Sequence, residues 1–533
     1  MKKIVSNMQL LLLSVVLLSL TGCTKDFEDM NRNPNQVTDD QMDVMNYKVG
    51  TKIRSLQSLV IPVEEHLYQF NESLTGGPFA GYISSTVDTW RTKFETFNPS
   101  ADWRKWPFAN VITETYTPYR GIINGTDDEV ALAFAKVLRV AIMQRVTDSY
   151  GPIPYSELEN NESITVKYDS QEAVYTRMLA QLDEALVLFG RNLSLPVEAW
   201  NRYDAVYFGN IAQWVKYTNS LKLRMAMRLS EVKPEIARAK AAEAIAGGVI
   251  TANADNAAMH AAENRTTLIY NDWKDSRVGA DIVNYLNGYK DPRREKMLLP
   301  NVSGKFAGLR IGIDVASKDA AVKYSSNMIV NSKTPYLWLN AAEVAFLKAE
   351  YELRWGTTEA AKTLYEQAVT LSFEERGANG AKEYLTNAEL VAEPYVDPLN
   401  QYSEKQPQSL ITIAWDATPE GAGDDVIQMA KERNLERIIT QKWIAIFPLG
   451  VEGWSEYRRT GYPRLLPAIE DKSNGTVDLA HGARRMSYPI EEYQKNNANL
   501  QEAIGLLDQE SQGSRKGDAM GTRVWWDCKP YNK

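Results

Sequence analysis

Cysteine and histidine, the residues on which disulfide frameworks and zinc sites depend, are scarce in this sequence. Its 533 residues include two cysteines and three histidines, which are His66, His260 and His481. No Cys/His pair has the spacing of a zinc site, and two cysteines cannot build a disulfide framework. His66 follows Glu64 and Glu65, a trio that we interpret as part of a solvated helix face. We therefore expect neither a zinc site nor a cofactor, and the sequence leaves open a calcium ion held by loop carboxylates.

Catalytic signatures are missing as well, and the charge balance excludes one class of partner. The sequence contains no HExxH, phosphate-loop, EF-hand or Ser-His-Asp pattern. Its 68 acidic residues outnumber 60 lysines and arginines, which gives a formal net charge of −8. A mildly acidic surface argues against nucleic acid as a partner, because phosphate backbones are bound by basic surfaces.

One long apolar run is present, from Met8 to Leu20, and it is shorter than the ~20 residues of a membrane helix. Lys2 and Lys3 precede it, as in a signal peptide. It ends in leucine, threonine, glycine and cysteine at residues 20–23. This is the order of a lipobox, in which small residues admit a peptidase and an exposed thiol accepts lipid.

The lipobox predicts how the N-terminal part of the chain is processed. Residues 1–22 are expected to form a lipoprotein signal peptide that is cut before Cys23. Cys23 is then the lipidated residue, and residues 23–45 form a lipid-anchored tether. The alternative is an ordinary secretory signal in which Cys23 is accidental. We expect a lipid, and not a spanning helix, to hold the chain to a membrane.

Apolar residues recur at helical spacing along much of the remaining chain. One stripe is stopped by Gly151, and another follows a candidate capping box made by Asp169 and Glu172. Two further helices, from Asn340 to Trp355 and from Thr358 to Ser372, form a pair with small residues at their contact. Such pairs resemble tetratricopeptide-type repeats, although their period is irregular.

Long inserts separate the helix pairs. Residues 71–125, 252–333 and 377–425 are rich in glycine, proline, asparagine and aromatic residues, which predicts loops and short strands. The predicted fold is therefore mainly α, a tetratricopeptide-like helix-pair scaffold with long irregular loop excursions and few short strands. Functional residues are expected on the excursions, because loops on rigid scaffolds carry most binding sites.

Several motifs occur in one order along nearly the whole chain, and together they resemble the SusD/RagB family of lipoproteins, in its SusD-like branch. The first is FEDMNRNPN at residues 27–35, in which Met30 stands where the family pattern has isoleucine. The others are TDSYGPIPY at 147–155, DAVY at 204–207, NSLKLRMAMR at 219–228, DPR at 291–293, EVAFLKAE at 343–350, QKW at 441–443, EGWSEYRRTGYP at 452–463, RRMSYP at 484–489 and WWD at 525–527.

The resemblance implies a mostly α fold with four tetratricopeptide-like helix pairs, in a SusD-like binding domain over residues 46–533. It implies a protein on the outer face of the outer membrane, whose partner is a SusC-type TonB-dependent transporter. The chain would be a hinged lid that captures an oligosaccharide or an oligopeptide, and it would not be an enzyme. The acidic residues from Asp26 to Asp29 resemble a surface-export signal, although their charge alone also fits a solvated tether.

Candidate ligand-binding residues lie where aromatic side chains concentrate, between Gly81 and Arg120. Aromatic faces stack on sugars, and interleaved polar groups supply hydrogen bonds. Aromatic residues also pack loops onto scaffolds, so both roles remain open for each of them. A second, weaker candidate lies near Trp273. The predicted contacts are Tyr82, Trp90, Arg91, Trp103, Trp106, Tyr119 and Trp273.

Signature motifs need not bind ligand. We expect Asp148, Arg458 and Arg459 to form buried ion pairs, and Trp525 and Trp526 to close the core. A surface glycoside hydrolase is a rival function, because it requires two carboxylates about 5–10 Å apart. No acidic pair stands in a distinctive motif, however. A passive repeat scaffold is a further rival, which the aromatic excursions disfavour.

Overall fold

The computed structural model describes residues 46–159, 163, 165–417, 421–511 and 515–530. The predicted signal peptide, the tether and Cys23 lie outside the described residues. Helices account for 54% of the structure and strands for 4%, which confirms the prediction of a mainly α fold with few short strands. In the part of the chain that the structure describes, no helix has the length and apolar character needed to cross a bilayer.

The α-helices follow one another along the chain with connections of very different length. In chain order they are α1 Tyr47–Val60, α2 Glu65–Tyr68, α3 Gly77–Phe79, α4 Ala101–Lys105, α5 Val111–Ile123, α6 Glu129–Tyr150, α7 Gln171–Arg191, α8 Ile211–Arg228, α9 Pro234–Ala246, α10 Ala280–Gly288, α11 Arg294–Met297, α12 Lys318–Tyr324, α13 Ala341–Trp355, α14 Thr358–Arg376, α15 Ala381–Leu385, α16 Asp424–Ala445, α17 Gly450–Thr460, α18 Ile490–Lys495 and α19 Asn497–Glu510.

The strands are short and pair antiparallel in twos. Strand β1 (Ile83–Ser85) pairs with β3 (Ser276–Val278), so that Ile83 lies opposite Val278. The other two pairs join β2 (Ala257–Met259) to β6 (Tyr336–Leu339) and β4 (Leu298–Leu299) to β5 (Asn327–Met328). Segments of 3₁₀-helix cover Glu157–Glu159, Val197–Ala199 and Asn253–Asp255, and segments of π-helix cover Gln69–Gly76, Trp106–Asn110 and Leu268–Asp272.

Neighbouring long helices pack against each other in pairs, namely α6 with α7, α8 with α9, and α13 with α14. Of the sequence signals at their ends, the stop at Gly151 is confirmed. Helix α6 ends at Tyr150, and Gly151 follows with a φ of +85°, a conformation that glycine adopts without strain. Helix α7 corrects one prediction, because its N-cap is Ser170, whose hydroxyl accepts the amide of Ala173.

The core contains a network of ion pairs centred on two glutamates of α17. Glu452 accepts from Arg228 at 2.6 Å, Glu456 accepts from Arg459 at 2.6 Å, and the ammonium of Lys442 lies 2.9 Å from Glu456. All five side chains are buried. A buried charge is costly unless it is paired, so these residues must reach the interior together.

Arg459 extends this network from α17 to α13. Its two terminal nitrogens donate to the carboxylate oxygens of Glu350 at 2.6 and 2.7 Å. Burial acts to raise the pKa of Glu350, but Arg459 and Arg354 outweigh it and lower that pKa to about 2. The predicted structural role of Arg459 is therefore confirmed.

The other residues predicted to be structural are also buried, with one difference in their partners. Asp148 lies 3.5 Å from Arg228 and accepts from the indole of Trp526 at 2.9 Å, and both Trp525 and Trp526 belong to the core. Arg458 departs from the prediction. It donates to the carbonyl oxygens of Asp148 and Arg484 at 2.6 and 3.0 Å, and not to a carboxylate.

We predict that Glu350→Gln lowers the free energy of unfolding by about 3–5 kcal/mol, because it removes one partner of a buried ion pair. The control is Lys362→Ala, which removes a partner of Glu366 from a pair whose side chains are 41% and 46% exposed. That change should cost less than about 1 kcal/mol. Urea unfolding followed by circular dichroism measures both values. Equal costs for the two variants would contradict the assigned role of the buried network.

Candidate functional site

Five aromatic side chains and one histidine form a continuous row that we call the aromatic strip. Four of them are predicted contacts, namely Trp90, Trp103, Trp106 and Trp273. Its members are half-buried, except for His66, which is exposed. Each ring contacts the next. The order and the distances between ring centroids are Trp90 to Trp103 at 4.9 Å, Trp103 to Phe70 at 5.4 Å, Phe70 to Trp106 at 5.2 Å, Trp106 to His66 at 6.4 Å, and His66 to Trp273 at 5.2 Å.

The middle of the strip is a stacked pair. The rings of Phe70 and Trp106 are inclined by only 14°, whereas Trp90 and Trp103 meet edge to face at 84°. Both arrangements are favourable for aromatic rings and contribute about 0.5–1.5 kcal/mol beyond the burial of area. The rings therefore hold one another in place, and each keeps part of its surface open to solvent.

Capping explains the position of Trp103. The hydroxyl of Ser100 accepts the amide of Trp103 at 3.3 Å, so that α4 begins directly after Ser100. Trp103 lies in the first turn of this helix, and Trp106 opens the π-helical segment that follows. Pro107 lies inside that segment. Proline has no N–H for a regular α-helical bond, which favours a locally widened turn here.

All three π-helical segments of the described residues border the strip. Gln69–Gly76 contains Phe70, Trp106–Asn110 begins with Trp106, and Leu268–Asp272 ends directly before Trp273. In each widened turn an amide reaches a carbonyl five residues back, as when Trp273 donates to Leu268 at 2.7 Å. Segments of this kind are rare and often occur at functional sites.

The two ends of the strip are tied together through the backbone near β1. The amide of Thr86 donates to the carbonyl of Asp275 at 2.9 Å, and its hydroxyl donates to the carbonyl of Lys274. Lys318 joins the same two loops, since its amide donates to Asp88 at 3.0 Å and its ammonium to Asp275 at 2.7 Å. The loop of Trp273 is thus fixed relative to the loop that carries Trp90.

Charged groups lie beside His66. The carboxylate of Glu64 caps α2 by accepting the amide of Leu67 at 2.6 Å, and it also lies 3.1 Å from the ring of His66. Glu65 forms a two-bond ion pair with Arg265, which lowers the pKa of Glu65 to about 2. The ligand atoms of Glu64, Glu65 and His66 lie within 4.8 Å of one another. Both carboxylates are thus bound by protein groups, and the trio forms a polar edge beside the strip.

The remaining predicted contacts lie in two different environments. Arg91 is exposed on the loop that follows Trp90. Tyr82 is fully buried, and it stacks on Trp443 with ring centroids 5.0 Å apart while its hydroxyl donates to the carbonyl of Trp443. Tyr119 is buried beside the guanidinium of Arg139. Both tyrosines therefore pack the scaffold, and their faces are not open to a ligand.

Two members of the strip were not predicted from the sequence. Phe70 and His66 precede the aromatic-rich segment, and His66 was interpreted only as part of a solvated helix face. The signal that points to them is their spacing. Residues four apart share a helix face, and His66 and Phe70 are four apart in a continuous helical segment. Trp273 belongs to a distant part of the sequence, and only the fold brings it to the other rings.

The strip can bind a ligand that is flat and apolar on one face and polar at its edges. Indole and phenyl rings stack on such faces, and their neighbours supply hydrogen bonds from the side. Arg91, Glu64 and Arg265 are charged groups near it that stay accessible to solvent. This composition is typical of sites that bind sugars.

Comparisons with known proteins identify the family to which the chain belongs. The family model described as "SusD-like: Susd and RagB outer membrane lipoprotein" matches residues 29–527. A SusD homologue of Bacteroides thetaiotaomicron is 48% identical, with a TM-score of 0.86 over 91% of this chain and 100% of that one. A SusD homologue of Bacteroides uniformis is 39% identical, with a TM-score of 0.82 over 91% and 100%.

A third solved structure carries information on ligand. It is a chitin-binding SusD homologue from Flavobacterium johnsoniae, 31% identical, with a TM-score of 0.79 over 90% of this chain and 99% of that one. A search of curated proteins found no match. The family identity points to a protein that is not an enzyme, as the sequence analysis expected. From the family match and these structures, the chain is a member of the SusD/RagB family of outer membrane lipoproteins.

Proposed function

We propose that this protein binds an oligosaccharide on the aromatic strip. The observation that carries the proposal is the row of six ring side chains in mutual contact, each with part of its surface open. A row of stacking faces suits a chain of sugar rings better than a single small molecule. The chitin-binding relative supports the same class of ligand, since chitin is a polysaccharide.

The proposal extends to delivery. The protein is held by lipid on Cys23 at the exterior face of the outer membrane, and it acts as a hinged lid on a SusC-type TonB-dependent transporter. Its family is described as outer membrane lipoproteins, which supports the location. The lipobox at residues 20–23 supports the anchor. The captured oligosaccharide then passes from the strip to the transporter.

Affinity electrophoresis against a panel of glycans, with oligopeptides as competitors, tests the binding class. We expect at least one glycan to retard the protein. Retardation by none of the glycans, with binding of an oligopeptide instead, would replace the proposed ligand by the alternative one. Incubation of the protein with the bound glycan should leave its chain length unchanged, and the appearance of shorter products would contradict the non-enzymatic role.

We predict that Trp90→Ala, Trp103→Ala and Trp106→Ala each weaken binding of that glycan. Loss of one stacking ring costs about 1–3 kcal/mol, a scale taken from base stacking, so the Kd should rise roughly 5- to 150-fold. Trp103 contacts Trp90 and Phe70, and its replacement should have the largest effect. Isothermal titration calorimetry measures each Kd.

The matched control is Trp355→Ala. Trp355 is also half-buried, at the end of α13, and its ring packs on Tyr351 at 5.3 Å, away from the strip. This variant should keep the original Kd, which separates loss of a binding face from general destabilisation. Unchanged affinity in all three strip variants would place the ligand elsewhere.

We predict that Cys23→Ala releases an intact protein from the membrane. The variant should bind the glycan with unchanged Kd, because the strip lies within residues 66–273. It should fail to support uptake, since nothing then keeps the lid beside its transporter. Fractionation, calorimetry and growth on the glycan measure the three properties. Loss of glycan binding in the released protein would contradict the role of residues 23–45 as a tether.

A further inference from the structure

A large cavity lies behind α2, on the side away from the aromatic strip. Tyr68 lines it, whereas His66 and Phe70, two residues before and two residues after, belong to the strip. Residues two apart in a helical segment do not share a face. The cavity has a volume of about 520 Å³, within the ~300–1,000 Å³ of small-molecule sites. We call it the rear cavity.

Phe208 is an exposed aromatic side chain in the lining of the rear cavity. It is 53% exposed, and its ring lies 5.4 Å from that of His260, which also lines the cavity. Its φ of +52° lies in the left-handed region, which a bulky side chain rarely adopts. Strained residues of this kind cluster at binding sites, because the surrounding structure must hold them in place.

A buried carboxylate holds Phe208 in this conformation. Asp204 accepts the amides of Tyr207 at 3.2 Å and of Gly209 at 2.9 Å, on both sides of Phe208. The DAVY motif at residues 204–207 therefore curls its own backbone around Asp204, and the side chain of Phe208 remains outside. This motif thus presents an aromatic ring to the rear cavity.

Much of the remaining lining of the rear cavity is apolar. Ile329 is 39% exposed and is a second large apolar side chain of the lining that stays open to solvent. Exposed apolar groups around a concave space are typical of ligand sites, because a ligand removes their surface from water. Further apolar side chains of the lining are Met297, Val330, Leu337 and Phe447.

Arg376, the last residue of α14, is a cation of this lining that has no carboxylate partner. Its Nη2 donates to the carbonyls of Phe447 at 2.6 Å and of Ala445 at 3.4 Å, which are uncharged acceptors. Its Nε is buried without an acceptor, and no described group accepts from its Nη1. Within the described ranges, no carboxylate oxygen lies within 4 Å of this guanidinium. A half-buried cation in this state is stabilised by an anionic ligand.

Two other ionisable groups contribute to the charge of the rear cavity. Lys296 is exposed and forms no hydrogen bond or ion pair with the described residues through its side chain. Glu375 is the one acidic residue in the described lining, and its carboxylate accepts from the amide of Asn340 at 2.7 Å. Burial raises the pKa of Glu375, which favours its neutral form. Arg376 and Lys296 outnumber Glu375 even when it is ionised.

We propose that the rear cavity binds a small organic acid, in which one carboxylate is attached to an apolar or aromatic body. Arg376 binds the carboxylate, because guanidinium groups match its geometry and bonds between ionised groups are about twice as strong as neutral ones. Lys296 adds to the positive potential at the entrance. The body of the ligand packs on Phe208 and Ile329.

This site does not depend on the proposed glycan function. None of the six residues of the aromatic strip is part of the described lining of the rear cavity. A loss of glycan binding and a loss of acid binding can therefore be told apart by variants on the two sides of α2.

Calorimetric titration of the full-length lipoprotein in lipid nanodiscs, with empty nanodiscs as the blank, tests the ligand class. The titrants are 3-phenylpropionate, 3-phenylpropanol, which lacks the charge, and acetate, which lacks the apolar body. We expect 3-phenylpropionate to bind at least about tenfold more tightly than either of the others, since only it uses both parts of the site. No binding of 3-phenylpropionate, or equal binding of the alcohol or of acetate, would overturn the proposal.

Variants connect that binding to the rear cavity. Arg376→Gln and Phe208→Asn should each raise the Kd of 3-phenylpropionate about tenfold, because one removes the guanidinium and the other the ring. Asparagine adopts the left-handed conformation more readily than phenylalanine, so Phe208→Asn should unfold at an unchanged or higher Tm. Both variants should keep the Kd of the glycan on the strip.

Lys296→Gln keeps the test independent of folding, since this exposed side chain makes no described contact that the change would break. It should raise the Kd of 3-phenylpropionate, with a larger effect at low salt. The matched control is Lys405→Gln, which removes another exposed lysine that does not line the rear cavity. Variants at Arg376, Phe208 and Lys296 that bind the acid like this control would place its site elsewhere and overturn the proposal.

Discussion

Neutralisation of charge inside a helical core constrains this structure more than any other interaction. Helix α17 brings Glu452 and Glu456 into the interior, and two other helices supply cations to meet them, α8 with Arg228 and α16 with Lys442. The first turn of α17 adds a further link. Glu72 accepts the amides of Gly450 and Val451 at 2.8 and 3.2 Å, as a carboxylate does at the positive end of a helix. Glu72 and Phe70 share one π-helical segment, so the charge network also fixes the base of the aromatic strip.

The backbone at Gly76 and Gly77 lies in close contact with the first turn of α17. A Cβ atom on Gly76 would lie 2.4 Å from the amide nitrogen of Val451, and one on Gly450 would lie 2.3 Å from that of Gly77. Glycine at these positions allows α17 to approach the segment that carries Phe70. The scaffold and the strip are therefore joined at this contact. The ion pairs stabilise it, and the two glycines allow the backbones to approach each other.

Local signals made much of the fold predictable. The stop at Gly151 and the pairing of α13 with α14 depend on capping and apolar spacing within short windows, although α14 continues to Arg376, beyond the expected Ser372. The strip was predictable only in part. Four predicted residues come together as surface rings, namely Trp90, Trp103, Trp106 and Trp273, whereas Tyr82 and Tyr119 are buried. The composition of a loop does not show which of its side chains face the scaffold. Arg458 shows the same limit, since the partners of a buried cation are set by tertiary packing.

The π-helical segments have a consequence for how such a surface diversifies. Each residue of a regular helix advances the side-chain direction by about 100°, so a widened turn offsets the rotational phase of everything that follows it. Trp273 directly follows one such segment, whereas Phe70 and Trp106 lie at the beginning of theirs. Gain or loss of a single residue in Leu268–Asp272 would turn the ring of Trp273 relative to the other rings of the strip. Backbone register is thus a means of changing the exposed surface of the strip without rebuilding the fold.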